Sequence, residues 1–506
     1  MYWKNKPPYL GYWQQDIYYK IKAAFNDKTG VISGSEELTY WNNSPDTLKV
    51  VYFHMYANSQ VKGSYNSMVY QSNKIRNWYG QYERQGKGIE VTKMESDGKD
   101  LKMVLDNTIL KVYLNKPLPP NSEMKFDIDF NTYFDIGSIR RRMKVFDHNG
   151  FKQFDGVHWY PRISVYDRKE GWDENQHLDH EFYGDYGTYD VSLTMPSNYI
   201  LGATGTLLNE DKVLPPDLRQ KLDIKNFAKK PLGEKPSVII PADGTTRTWM
   251  YHAMNVHDFA WTADPTYRIG ETEWNGIKCI ALAQEENASR WQTAAGFTAK
   301  LIEIYSKDFG KYEWPVITVA DARDGMEYPM ITLCGGLSPD YDYVISHEVG
   351  HEWFFGMLGN NETYRPILDE GFTQFLTAWS MIKIDGENEL HTPSPSAYLR
   401  KYQLPQNTLD GVLYNPYLRS AQDQDNIPIN THSDYFNSAV GHGGGYGQVY
   451  FKTGTMLYNL QYVLGDSLFQ NAMRYYVSKW KICHPYVEDF EDAIIAYTHY
   501  NLKWFF

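Results

Sequence analysis

Cysteine is scarce in this chain. Three occur in 506 residues, Cys279, Cys334 and Cys483, far apart and odd in number. That excludes a disulfide framework or a cysteine-rich metal knuckle and leaves the redox compartment open. No apolar run reaches the roughly 18 residues that a membrane-spanning helix needs. The start, Met1-Tyr2-Trp3-Lys4-Asn5-Lys6, lacks the apolar core of a signal peptide. Location stays open: a soluble protein, cytoplasmic or exported with any signal absent from this chain. Basic residues are outnumbered 50 to 62, for a net charge of −12. Nucleic acid is therefore not expected as the main partner, since phosphate binding needs a basic face. Internal repeats and low-complexity tracts are also missing. The last residues, Leu502 to Phe506, are apolar with no polar tail, the pattern expected of a chain trimmed at its C-terminus.

What is present is an ordinary globular composition, 42% hydrophobic and 16% aromatic, with 42 tyrosines. The length suits about two to four domains. In the first half, Met124, Phe126, Ile128 and Phe130 alternate with polar residues, as do Tyr189, Val191, Leu193 and Met195. Leu48, Val50 and Tyr52 fit the same period, which predicts half-buried strands. Turn-rich stretches at 42–46 and 118–122 punctuate them. The polar, Pro- and Lys-rich stretch from about Asn209 to Thr246 reads as a loop insertion. Beyond it the period turns helical. Phe297, Leu301, Ile304 and Tyr305 share a helix face, a short strand is expected over Val316–Ala320, and helices over 343–356, 369–382 and 449–464, with Gly465 as a C-cap. The Pro-, Asn- and Asp-rich segment from Asp385 to Ser438 is expected to be irregular. The fold class is thus α+β and multidomain: an N-terminal β domain over 1–260, then a mostly helical domain over 261–506.

His347-Glu348-Val349-Gly350-His351 is an H-E-x-x-H motif. Histidines at i and i+4 share one helix face and can present two imidazole nitrogens to one Zn²⁺ at about 2.0–2.1 Å. Glu348 turns toward the fourth coordination position, where it can take a proton from a metal-activated water. Such a motif also arises by chance in long chains, so a third ligand matters. Eighteen residues lie between His351 and Glu370, which opens another helical stretch as Asp369-Glu370-Gly371-Phe372. Two histidines and one glutamate form the ligand set of hydrolytic zinc sites that keep a position for water. One zinc per chain is expected.

With these motifs in place, the sequence resembles the aminopeptidase N family of gluzincin zinc metallopeptidases. The likeness extends from His347 to Glu362 and over Leu368 to Thr373. It also takes in His158 to Asp167, Glu181-Phe182-Tyr183 and Val256 to Trp261. It implies a saddle-like β domain followed by a thermolysin-like catalytic domain, and a peptide substrate with a free N-terminus. Gly325-Met326-Glu327-Tyr328-Pro329 matches the family's G-x-M-E-N element. The resemblance gives Glu327 the task of holding the substrate's α-amino group, while Gly325 and Met326 lie on the strand that aligns the peptide. Tyr328 stands where the family has Asn. Gln153 and Asp155 look similar to the β-domain segment that helps hold the amine. Tyr450-Phe451-Lys452-Thr453-Gly454 is similar to the family's tyrosine element with one extra residue, which makes Tyr450 the oxyanion donor and Tyr446 its rival. The Gly441 to Gly447 loop lacks phosphate-binding spacing and reads as an active-site loop, with His442 an exposed residue on it.

These roles describe an aminopeptidase that removes N-terminal residues through a metal-activated water. An endopeptidase on the same scaffold would gain nothing from an ammonium anchor at Glu327. A non-catalytic scaffold would not need Glu348. A non-peptide hydrolase on the same zinc site also remains open.

Overall fold

The computed structural model describes residues 2–136, 142–178, 181–228, 234–338, 340–389, 406–422, 427–436 and 446–506. Alternation along the first strands has the consequence expected of it. In Asp16–Asn26 the side chains of Tyr19, Ile21, Ala23 and Phe25 face inward while Lys20, Lys22 and Ala24 face out. The strands Ser122–Tyr133 and Gly187–Pro196 bury Phe126, Ile128 and Phe130, and Tyr189, Val191, Leu193 and Met195. Side by side, such strands form an eight-stranded sheet. In spatial order it runs Thr206–Leu207, Thr246–Val256, Gly187–Pro196, Asp16–Asn26, Val31–Asn42, Ser122–Tyr133, Ile89–Ser96 and Lys99–Asp100. Its inward face packs on two four-stranded sheets in one continuous apolar core that runs on into the helical half.

Leu48–His54 departs from simple alternation. Its register against Ile109–Leu118 shifts between Leu48, opposite Leu118, and Val50, opposite Tyr113; Val51 and Phe53 are fully buried and Val50 only half so. One residue of this strand there faces four of the partner, so the irregularity lies in the partner strand, which carries three extra residues.

The helical half contains more β structure than its periodicity suggested. A five-stranded sheet runs, in order, Tyr267–Trp274, Ile277–Gln284, Val316–Asp321, Ile331–Cys334 and Gly325–Tyr328. The first two strands are a hairpin closed by Asn275 and Gly276, both at positive φ. A two-residue Asn-Gly turn of that kind matches the twist of the strands it joins. The helix Ala294–Asp308 covers this sheet with Leu301, Ile304 and Tyr305. The stretch from 209 also differs from a plain loop. Pro216 starts a helix to Leu222 whose Leu218 and Leu222, four apart, are buried, and Ile224 follows them into the core. The helices Phe372–Asp385, Gly447–Leu464, Asp466–Trp480 and Val487–Thr498 complete the C-terminal part, and Gly465 ends its helix at φ 76°. The architecture is α+β, with strands dominating the N-terminal part and helices the C-terminal part. No helix among the described residues is long and apolar enough to cross a membrane.

Candidate active site

The first motif helix, Tyr341–Gly350, is buried over its whole second half, from Ile345 to Gly350. It lies beside the second motif helix, Phe372–Asp385. The Tyr305 hydroxyl sits between them, 2.9 Å from the Ser346 carbonyl and 2.8 Å from the Ser380 hydroxyl. This pairing puts His347 Nε2, His351 Nε2 and Glu370 Oε2 at the corners of a triangle with edges of 3.2, 3.2 and 3.3 Å. Ligands about 2.0–2.1 Å from a tetrahedral zinc stand about 3.3 Å from one another, so the triangle fits that ion. The other ring nitrogens are held from behind. His347 Nδ1 lies 3.3 Å from Thr377 Oγ1, and His351 Nδ1 lies 3.1 Å from the Phe354 carbonyl. A donor proton on Nδ1 leaves the Nε2 lone pair for metal. Burial alone would raise Glu370, but hydrogen bonds from His347 and His351 outweigh it and hold this carboxyl far below its usual range.

The first motif helix stops sooner than the predicted 343–356. Phe354 and Phe355 leave helical geometry, Phe355 at φ 130° and ψ −58°. The break turns the Phe354 carbonyl back onto His351. It also offers the Phe355 carbonyl to His257 Nε2, 3.1 Å away in the β-rich half. The second motif helix starts at Phe372 after a wider turn over Ile367–Gly371. A Cβ on Gly371 would lie 2.3 Å from Thr453 Cβ, so only glycine lets the Glu370 turn approach the helix Gly447–Leu464.

Glu327 lies on the edge strand Gly325–Tyr328, which pairs on one side only, with Ile331–Cys334. Gly325 is the residue that lets Glu348 approach, since a Cβ there would sit 2.8 Å from Glu348 Oε1. Met326 is buried behind the strand. Ligand atoms of Glu327, Glu348 and His351 lie within 4.8 Å of one another, so the Glu348 carboxyl stands between the metal triangle and the edge strand. Burial pushes the Glu348 carboxyl well above the usual range, with Glu327 adding to the effect.

Two carboxylates that the sequence reading did not assign to the site also stand beside Glu327. Ligand atoms of Glu181, Glu327 and Glu362 lie within 4.8 Å of one another, all buried. Arg142 Nη2 donates to Glu181 Oε1 at 2.6 Å, and the Phe182 amide donates to Glu362 Oε2 at 3.2 Å. Glu327 Oε1 and Glu181 Oε2 have no hydrogen-bond partner among the described residues. Burial lifts Glu327 well above its usual range, and the neighbouring Glu181 and Glu370 carboxylates lift it further. Burial also raises Glu181, which Arg142 pulls back to about 7. The text Glu181-Phe182-Tyr183 was recognisable as family-like, but no spacing rule connects it to Glu327.

Gln153 and Asp155 have other neighbours. Gln153 Nε2 donates to Asp155 Oδ1 at 2.9 Å, Thr262 Oγ1 donates to the same oxygen at 2.6 Å, and Gln153 Oε1 accepts from Gln284. Their strand, Phe151–Gly156, pairs with Trp261–Asp264, which turns both side chains toward Thr262 and Gln284. Among the described residues no hydrogen bond or ion pair joins either to Glu327. Beside Glu327 the β-rich half supplies Glu181 instead.

Tyr450 lies in the first turn of Gly447–Leu464. Its ring stacks on His347 at 5.8 Å, and its hydroxyl donates to Glu370 Oε1. Tyr446 stands edge-on to Tyr450 at 5.7 Å and packs on Phe436 at 5.3 Å. At 2% exposure it is more deeply buried than Tyr450, although glycines flank it in sequence. Residues 441–445, with His442, lie outside the described residues.

Known proteins match this arrangement. The model of the peptidase family M1 domain matches residues 338–506, which hold the metal triangle and Tyr450. Among solved structures, the M1 zinc metallopeptidase from Deinococcus radiodurans is similar with a TM-score of 0.62 at 14% identity, covering 97% of this chain and 93% of that one. A mutant of that enzyme bound to a Tyr-Ser-Ala substrate is similar with a TM-score of 0.60 at 13% identity, over 97% and 93%. A two-domain M1 zinc metallopeptidase mutant bound to L-arginine gives 0.61 at 14% identity, over 96% and 91%. Residues 338–506 thus match the peptidase family M1 domain, and over nearly its whole length the chain has a fold like that of these M1 zinc metallopeptidases.

Proposed function

We propose that this zinc-dependent peptidase is an aminopeptidase, with His347, His351 and Glu370 as metal ligands and Glu327 as anchor for the substrate's N-terminal ammonium. The observation that carries the reading is the group of buried carboxylates at Glu181, Glu327 and Glu362, set beside the metal triangle and answered by Arg142 at Glu181 alone. Buried carboxylates persist when a cation pairs with them, and a peptide's N-terminus is the cation a peptidase meets. Glu181 then serves as the second amine contact, the place Gln153 and Asp155 were expected to fill. The similar M1 structures bound to Tyr-Ser-Ala and to L-arginine support the reading, because both ligands carry a free α-amine.

Zinc supplies Lewis-acid polarisation of the scissile carbonyl and lowers the pKa of water there. The residues of the chain do the rest. Glu327 and Glu181 fix the substrate's end, so that the first peptide bond reaches the reacting position. Glu348, with Oε2 unpartnered among the described residues, takes the proton of the attacking water and passes it to the leaving amine. Tyr450 turns its hydroxyl from Glu370 to the tetrahedral oxyanion. Gly325 and Met326 belong to the edge strand whose free side can pair with the peptide backbone. We place the division between the β domain and the catalytic domain between Asp264 and Tyr267, a few residues beyond the expected 260. Trp261–Asp264 completes a sheet of the first, and Tyr267 begins the five-stranded sheet of the second.

The test is hydrolysis of aminoacyl reporter amides, free and N-acetylated, with and without chelator. The free amides should be cleaved and the acetylated ones not, and chelator should stop the reaction. Glu327→Ala should impair free-amine substrates strongly. Equal cleavage of N-blocked internal bonds would make the protein an endopeptidase.

A further inference from the structure

Each of two carboxylates at the amine site is followed in sequence by an aromatic ring: Glu181 by Phe182 and Glu327 by Tyr328. Those two rings stack. Their planes are 3° from parallel with centroids 5.5 Å apart, and both are fully buried. Successive residues of an extended chain point to opposite sides. When Glu327 faces the cleft, Tyr328 therefore faces away from it, into the β-rich half where Phe182 waits. The stack thus joins the edge strand of the catalytic sheet to the segment carrying Glu181 by a contact lying behind both acids.

Phe182 is tied on further sides. Its amide donates to Glu362 Oε2 at 3.2 Å, and the Thr363 hydroxyl donates to the Glu181 carbonyl at 3.0 Å. His158, at φ 54°, stands edge-on to the Phe182 ring at 4.8 Å and to the Tyr328 ring at 6.0 Å. Phe355, at the break after the first motif helix, closes the other side at 5.5 Å. The Glu327 segment thus meets Phe182 through its ring and the Glu362 segment through its backbone amide.

Resting on the aminopeptidase reading, we propose that Phe182 and Tyr328 are a positioning pair whose stack sets the separation of Glu181 and Glu327, and so the fit of an N-terminal ammonium. Neither ring touches the substrate. Both act through the acid that precedes them. Tyr at 328, where the resembling family has Asn, is the half of the stack supplied by the edge strand.

The test uses the zinc-loaded enzyme, Phe182→Leu, Tyr328→Leu, the double variant and Tyr328→Phe. It reads kinetics on a free-amine aminoacyl amide and inhibition by two hydroxamates, one with an α-amine and one without. Each leucine variant should raise KM and weaken the amine-bearing hydroxamate by about three- to tenfold, the scale of one aromatic pair. The amine-free hydroxamate and the zinc content should stay unchanged, and kcat should move by less than about twofold. Tyr328→Phe keeps the ring and should behave as wild type. The double variant should be no worse than the poorer single one, because either change already breaks the stack. Phe182→Met is read in the same way should Phe182→Leu fail to fold. Equal weakening of both hydroxamates, loss in Tyr328→Phe, or additive single effects would overturn the proposal. Glu327→Ala, run beside these, separates the two ideas. If it fails to discriminate the hydroxamates, the aminopeptidase reading falls. If it discriminates and the leucine variants do not, only the positioning pair falls.

Discussion

In the β-rich half, several buried charges come in matched pairs. Arg162 Nη1 lies 2.7 Å from Asp258 Oδ2, and His54 Nε2 lies 3.2 Å from Asp173 Oδ2. In the cleft, Glu181, Glu327, Glu348, Glu362, Asp369 and Glu370 are buried together, and Arg142 ion-pairs with Glu181. An unpaired buried carboxylate costs several kcal/mol unless it stays protonated or gains a cation. The β-rich half shows what a fold does with charge when only stability matters. The cleft accumulates a deficit that zinc and a substrate ammonium would fill. Glu36 crosses the line most fully: inside the eight-stranded sheet it is 2% exposed, and neither of its oxygens has a partner among the described residues.

The comparison can be broken most severely at the metal triangle. His347→Ala or Glu370→Ala should abolish both zinc binding and hydrolysis, read by metal analysis and by the amide assay. Full zinc content in either variant would remove that residue from the ligand set. The next effect belongs to Glu348. Glu348→Gln should keep the metal and lose about 10²–10⁴ in turnover, the range for general-base help. Near-wild-type turnover would assign the proton transfer elsewhere.

Smaller again is the tyrosine pair. Tyr450→Phe should lower kcat by about 10²–10³ with KM little changed, as for one oxyanion donor. Tyr446→Phe, although Tyr446 is the more buried of the two, should change kcat by well under about tenfold. The reverse result would move the role to Tyr446.

The smallest effect sharpens the contrast from the other side. Burial alone raises the Glu36 carboxyl well above its usual range. A folded-state pKa above the unfolded one favours folding while the carboxyl is protonated. That contribution is complete below the ordinary carboxylate range and is lost as pH rises through the raised value. Glu36→Met should therefore stabilise the protein by about 1–3 kcal/mol near neutral pH. The gain should shrink as pH falls through the carboxylate range, followed by denaturant melts across pH. A gap independent of pH would show that Glu36 has a partner in solution.

What could be read in advance is whatever a local period dictates. A histidine four residues after another shares its helix face wherever the helix lies, so His347 and His351 were legible as a metal pair. The period-two rows of Tyr189 to Met195 and of Met124 to Phe130 identified their inward faces for the same reason. The hairpin at Asn275-Gly276 carries a local signal too, an Asn-Gly pair at the turn between two paired strands. Other features depend on contacts between distant segments. The register shift after Leu48 comes from three extra residues in the partner strand 109–118. Phe354 and Phe355 lie in an apolar run that reads as helix. Only their contacts with His351 and His257 pull the chain out of helical geometry. Glu181 reaches Glu327 from far along the chain, held by Arg142, Phe182 and Thr363. The sequence by itself determined which atoms could hold a metal, because a helix turn sets their spacing. Which acids stand beside that metal was decided by tertiary packing, since no period in the chain links Glu181 or Glu362 to Glu327.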